Sequence, residues 1–281
     1  DLLEPVAAYA ELFGGEGLAQ LERQVQAQYE ALPPAKGDSS WSEDAPKRRT
    51  LAALLEELWQ ERGDIDAIIA NRVQNLRRAW DYLDLASLCR THQRERQAIG
   101  WLERGLKAHP DDGLLLRELA RTQSHEGFPE EALPLYWRSF QAKFSEQAYL
   151  DLRAAAEQLG QWESWRQRAI AEVERAARTR IGDGERGRQW AREQLVALHL
   201  AEHDIAGAWS QAQRGHLSAT TWSRLAPQLE SFAPEGALQG YRMLAEYCIG
   251  QANRDQYALA MSWLERMREL HQRLGQQSTY A

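Results

Sequence analysis

Apolar residues recur along this chain at the three- and four-residue spacing of helices, carried mainly by leucine and alanine, with arginine filling the polar faces. Runs of β-branched residues in period-two alternation are absent, so no sheet is predicted. Helices are expected over residues 2–13 and 16–31, separated at Gly14-Gly15 and stopped by Pro33-Pro34. The polar stretch from Pro33 to Pro46 reads as a linker, with Trp41 a candidate tether onto the body. A helix from Lys47 to Arg62, a turn at Gly63-Asp64 and a helix from Ile65 towards Arg78 follow.

From there the pattern repeats. Ala98, Leu102, Gly105 and Pro110 stand at the small, large, small and proline positions of a tetratricopeptide second helix, with Tyr82, Leu85 and Ala86 on the first. The next unit has Leu116, Leu119 and Ala120, a turn at Gly127, then Ala132 and Tyr136; Ala98 to Ala132 is 34 residues, the length of that repeat. A third unit, with Tyr149, Leu152 and Gly160, places Trp165 where a small residue belongs, so its packing must differ. Residues 176–189 interrupt the pattern and read as a loop dividing two sub-bundles. Leu195, Val196, His203, Ala208 and Ala212 restore it, and a last hairpin joins Tyr241–Gly250 to Tyr257–Leu274. The expectation is an all-α, TPR-like alpha-alpha superhelix of about six hairpins, with degenerate outer repeats. Residues 1–46 form acidic helices and a linker, and residues 47–281 the repeat domain.

Charge narrows the function. Residues 1–46 carry nine acids against Arg23 and Lys36, a net of −7 that equals the formal charge of the whole chain. The remainder is neutral overall, which argues against a dedicated nucleic-acid surface. No stretch is apolar enough to span a bilayer and the first residues lack the order of a signal peptide, so a cytoplasmic location without membrane partners is expected. The start at Asp1 and the end at Gln277–Ala281, just past an uncapped helix, suggest a fragment or processed form. Cys89 and Cys248 each sit in an apolar helical pattern and read as buried thiols.

The segments Tyr82–Cys89, Ala132–Tyr136, Ala206–Trp209, Trp222 to Ala226 and Asp255–Ala258, with Trp263-Leu264, resemble the helical C-terminal region of bacterial SWIM zinc-finger proteins over roughly residues 45–275. That resemblance implies a TPR-like scaffold appended to a recognition module. The family's Cys-x-Cys…Cys-x-His array is absent from this sequence, so no metal ligand and no catalytic residue carry over.

Three constellations could carry function. On the first helices, positions lining a tetratricopeptide groove are Trp80, Leu83, Ser87 and Arg90, then Leu114, Arg117, Arg121 and Ser124, then Gln147 and Leu150. Trp80, Arg90, Arg117, Arg121 and Gln147 are the candidate contacts for a protein or peptide partner. Arg117 and Arg121, one turn apart, could converge on one anion unless Glu118, Asp151 or a neighbouring acid neutralises them.

The second is the stretch 166–192, where eight arginines interleave with Trp162, Trp165 and Trp190. Arg175, Arg178, Arg180, Arg186 and Arg188 would contact phosphates if this were a nucleic-acid surface. The ordinary alternative is a solvated helix with pairs such as Glu174–Arg178, followed by a polar loop. The third is His199 and His203, at zinc-ligand spacing on one helix face. The order His-Leu-Ala-Glu-His misplaces the glutamate for a metalloprotease and offers no third ligand, so no metal or other cofactor is expected. No phosphate loop or nucleophile elbow appears, and the chain reads as a non-catalytic scaffold.

Overall fold

The computed structural model describes residues 6–32, 44–182 and 184–275, without the side chains of 6–13 and 45. The proposed tether Trp41 and the tail after Gly275 lie outside these. Among the described residues there are fourteen α-helices and no strand. Among the same described residues, no helix is long and apolar enough to cross a membrane. The chain divides into two compact units at His109/Pro110, and residues 176–189 lie inside the second.

The first unit holds α1 (Val6–Ala31), α2 (Ala45–Arg62), α3 (Ile65–Val73), α4 (Ala79–Thr91) and α5 (Glu95–Ala108). As the glycine pair predicts, α1 is kinked at Gly14, whose φ of 61° and ψ of 178° are non-helical. Val25 and Tyr29 of α1 pack with Leu55 and Trp59 of α2 and Ile65 and Ile68 of α3. The acidic N-terminal helix therefore belongs to the body of this unit. α4 and α5 form the next hairpin, with Leu85, Ala86, Cys89, Ala98 and Leu102 fully buried.

The second unit holds α6 (Gly113–His125), α7 (Pro129–Ala142), α8 (Glu146–Gln158), α9 (Trp162–Ala176), α10 (Glu185–Ala201), α11 (Ile205–Ala212), α12 (Ala219–Leu229), α13 (Pro234–Gly250) and α14 (Arg254–Arg273). One cluster gathers Phe140, Tyr149, Leu152, Val173 and Leu195; a second gathers Val196, Trp222, Leu225, Tyr241 and Leu270. Trp165 half-buries against Trp137, their rings 5.5 Å apart, which is how this hairpin accommodates an indole at a small-residue position.

One backbone device closes six hairpins. Gly63, Gln93, Gly127, Gly160, His203 and Ala252 all have φ between 51° and 91°. Each follows the end of one helix, and the residue after it is the N-cap of the next. In five of them the N-cap N–H donates to the carbonyl five residues back, as Phe128 does to Gln123 at 2.9 Å and Asp204 to His199 at 2.9 Å. These are Schellman closures, which satisfy the last carbonyls of the first helix while turning the chain. The equivalence of Gly127 and His203 read from the repeat offset is thus a shared left-handed conformation.

Two expectations fail. The stretch 176–189 is mostly helical: α9 runs into a π turn over Ala177–Ile181, and α10 starts at Glu185. The π turn is fixed by close approach, since a Cβ on Gly187 would lie 2.0 Å from the Gly182 carbonyl oxygen. The C-terminal end also contains one packing more than the repeat pattern indicated, because α12 packs on α13 as α13 packs on α14. Its turn, through Phe232 and Ala233, lacks the left-handed residue that marks the others.

Candidate functional site

Of the groove positions read from the sequence, Trp80, Ser87, Leu114, Arg121 and Gln147 are exposed, and Leu83, Arg90, Arg117, Ser124 and Leu150 are half-buried. In the first unit, Trp80 is 64% exposed on α4, while Arg90 is half-buried and engaged by a partner. In the second, Leu114 is 53% exposed and Gln147 is exposed, with Leu115, Leu116, Leu119 and Ala120 buried behind them. Capping sets this phase. Asp112 accepts from the N–H groups of Leu114 and Leu115 at 3.0 Å, and Ser145 from Ala148 at 3.3 Å, so α6 and α8 begin where their exposed faces carry these residues.

The two arginines of that face do not share an anion site. Arg117 Nε lies 2.5 Å from Asp151 Oδ2, and Gln147 donates to Asp151 Oδ1 at 2.9 Å, so these two converge on one carboxylate. The Arg117 approach is off the hydrogen-bond line, leaving the buried Oδ2 paired by charge without a directional bond. Arg121 takes Glu118 instead, at 2.9 Å, and remains 59% exposed. The neutralising acids are the two named from the sequence. Tyr136 lies within reach of these charges, and burial raises its phenol pKa.

The two histidines do not converge on one site. His203 is exposed in the turn at φ 58°, while His199 Nδ1 sits 2.8 Å from Asp204 Oδ2. His199, Glu202 and Asp204 do place three potential ligand atoms within 4.8 Å of one another. Those atoms are engaged elsewhere: Glu202 accepts from Arg166 at 2.9 Å and from Tyr149 Oη at 2.7 Å, and the other oxygen of Asp204 caps α11 through Gly207 N–H at 2.8 Å. Arg166 supplies the positive charge a cation would bring. The Gly207 bond and His199 hold the Asp204 carboxyl below its usual range, and burial followed by the Glu202 bond pushes the Tyr149 phenol up. Nothing in the sequence links Tyr149 of α8, Arg166 of α9 and Glu202, which caps the end of α10.

The arginine-rich stretch is dispersed. Arg175 is held by Glu172 at 2.5 Å, and Arg180 donates to the Gln141 carbonyl at 2.9 Å and stacks over Phe144. Trp162, Trp165 and Trp190 pack against Tyr149, Trp137 and Phe144, so they face the core and form no open stacking platform. The expected Glu174–Arg178 pair does not form, because the π turn breaks the i,i+4 register between them. Arg186 is exposed, whereas Arg178 and Arg188 line a cleft with Arg192 and Arg214, the last brought from the end of α11. Sequence reasoning missed Arg214, since only tertiary packing places it there.

Hairpins of this geometry define an all-α, TPR-like helical-repeat protein. No protein-family model matches the chain, and no curated protein does. Among solved structures it is similar to the MamA protein, at 17% identity over 72% of this chain and 94% of that one, with a TM-score of 0.29. It is also similar to PilF of Pseudomonas aeruginosa, at 14% identity, 77% and 98% coverage and a TM-score of 0.32. Naa15/Naa10 bound to HypK-THB matches at 16% identity over 94% of this chain and 42% of that one, with a TM-score of 0.33. Scores this low place no constraint on function or partners, and the TPR-like description rests on the hairpins themselves.

Proposed function

We propose that this chain is a non-catalytic, cytoplasmic protein-interaction scaffold whose α6–α8 face receives a segment of a protein partner. The observation that carries this reading is the pairing of an exposed apolar anchor with an exchangeable cation: Leu114 lies one face-repeat from Arg121, whose pair with Glu118 is solvent-screened. Such an exposed i,i+3 pair contributes little stability, so a ligand carboxylate can replace Glu118 at small cost. Arg117, Asp151 and Gln147 form the charge-balanced floor beside it. On α4 of the first unit Trp80 holds the position of Leu114, and Arg90, one turn past the Ser87 that answers to Arg121, brings a cation to the same face. The resemblance to the helical region of SWIM zinc-finger proteins supports the same role, a scaffold attached to a recognition module. The nucleic-acid alternative over residues 166–192 draws no support, since its tryptophans pack inward and Arg175 and Arg180 are engaged.

The test is fluorescence polarisation with a library of amphipathic acidic peptides. Binding is expected to fall on Leu114→Glu and on Arg121→Glu, and to survive Arg23→Glu, a change on α1. Peptides bound equally by all three variants and wild type, or by none, would remove this face as the site.

A further inference from the structure

The second unit contains a cleft of about 560 Å³ between the π turn after α9, the first turns of α10 and the end of α11. That is within the size range of small-molecule sites. Its walls carry four guanidiniums, Arg178, Arg188, Arg192 and Arg214. Against them stand Glu174 in the lining and Glu185, which pairs with both Arg188 and Arg192. Among the described residues of the lining the guanidiniums outnumber the carboxylates, and Arg188 has a further interaction besides Glu185.

The excess is built in. Arg178 has no partner among the described residues, and Arg214 holds only the neutral amide of Gln211, at 3.3 Å. Arg192 cannot turn towards solvent. Its side chain is 9% exposed, its Nε has no acceptor, and it packs on Gly215 so tightly that a Cβ there would lie 2.8 Å from the guanidinium carbon. A guanidinium fixed in this way costs desolvation that an anion can offset. Beneath the charges, Ala177, Ala191 and Leu195 form an apolar floor.

We propose that this cleft binds a small phosphate monoester with a compact apolar body. The oxygens of a phosphate match the planar fork of arginine, and among the described residues Arg178 and Arg214 hold no carboxylate that would compete with it. Arg178 and Arg214 grip it, Arg188 and Arg192 supply the field, and the body rests on Ala191 and Leu195. A nucleic-acid backbone fits less well, because the neighbouring tryptophans face inward and offer no surface for bases to stack on. None of these residues lies on the α6–α8 face, so the proposal stands apart from the scaffold reading.

Isothermal titration of the full chain at fixed ionic strength tests it, with phenyl phosphate as the probe and inorganic phosphate, benzoate and a short oligothymidylate as comparisons. Phenyl phosphate is expected to bind saturably and one to one, more tightly than inorganic phosphate or benzoate. Arg178→Ala and Arg214→Ala should each weaken it roughly tenfold or more, the loss of one charge-assisted contact. Both side chains are exposed, so thermal melting should show the variants folded; Arg23→Ala should bind as wild type. Absence of saturable binding, or unchanged affinity in both cleft variants, would overturn the proposal. Equal affinity for inorganic phosphate would do the same, and tighter binding of oligothymidylate would reassign the cleft to nucleic acid.

Discussion

At Ala252 and His203 an L-residue adopts a conformation that crowds its own Cβ against the backbone, whereas Gly127 takes the same turn without that conflict. Ala252→Gly should therefore stabilise the protein by about 0.5–1 kcal/mol, less the extra backbone entropy glycine has when unfolded. The urea midpoint reads the gain, and a fall in midpoint would show that the turn is not strained. Glu202 presents the opposite case. Its carboxylate is only 10% exposed and depends on Arg166 and Tyr149, so Arg166→Met should cost about 3 kcal/mol by leaving a buried charge unpaired. Because these oxygens are already engaged, EDTA or added zinc should leave the melting temperature unchanged.

Carboxylates also set the acid side of the stability profile. Arg175 is the main cause that holds the Glu172 pKa below its ordinary value, with Gln141 assisting. A depressed folded-state pKa contributes stability that is fully present above the unfolded value and is lost as pH falls through the folded one. Below about pH 4.5, wild type should lose stability with a steeper slope than Glu172→Gln. Denaturant titrations across that range check the sign.

Among the elements, the hairpins were legible because their turns and small residues are local: Gly63, Gly127 and Gly160 mark the reversals, and Ala98, Ala120 and Ala132 mark close helix contacts. The π turn was not, since Ala-Arg-Thr-Arg-Ile has the composition of a loop and is held by a contact with Gly187 that no periodicity records. The α12–α13 packing escaped for a related reason, a turn without its usual marker. Gly187→Ala should force two backbone segments apart and cost about 1–3 kcal/mol, with loss of structure centred on residues 177–187. Full retention of stability would mean that the approach of Gly182 and Gly187 is loose. The candidate partner face shows the same division. Its exposed positions followed from helical phase, while the pairing of Arg117 with Asp151 and Arg121 with Glu118, anticipated only as one alternative, required the actual rotamers.

For the whole molecule, circular dichroism should show a helical spectrum without a strand component, as the fourteen helices require. The second unit also carries connections that a simple stack of hairpins lacks. Tyr149 on α8 reaches Glu202 beyond the end of α10, and Glu146 at the start of α8 pairs with Arg224 on α12, 78 residues away. α10 itself touches α8 and α12 directly. In a purely nearest-neighbour array, each repeat can open by itself. Here α8, α10 and α12 are laced together, so their backbone amides should exchange with deuterium at a common rate set by one shared opening event. Exchange of the α12 amides well ahead of those in α8 and α10 would show instead that the three helices open separately.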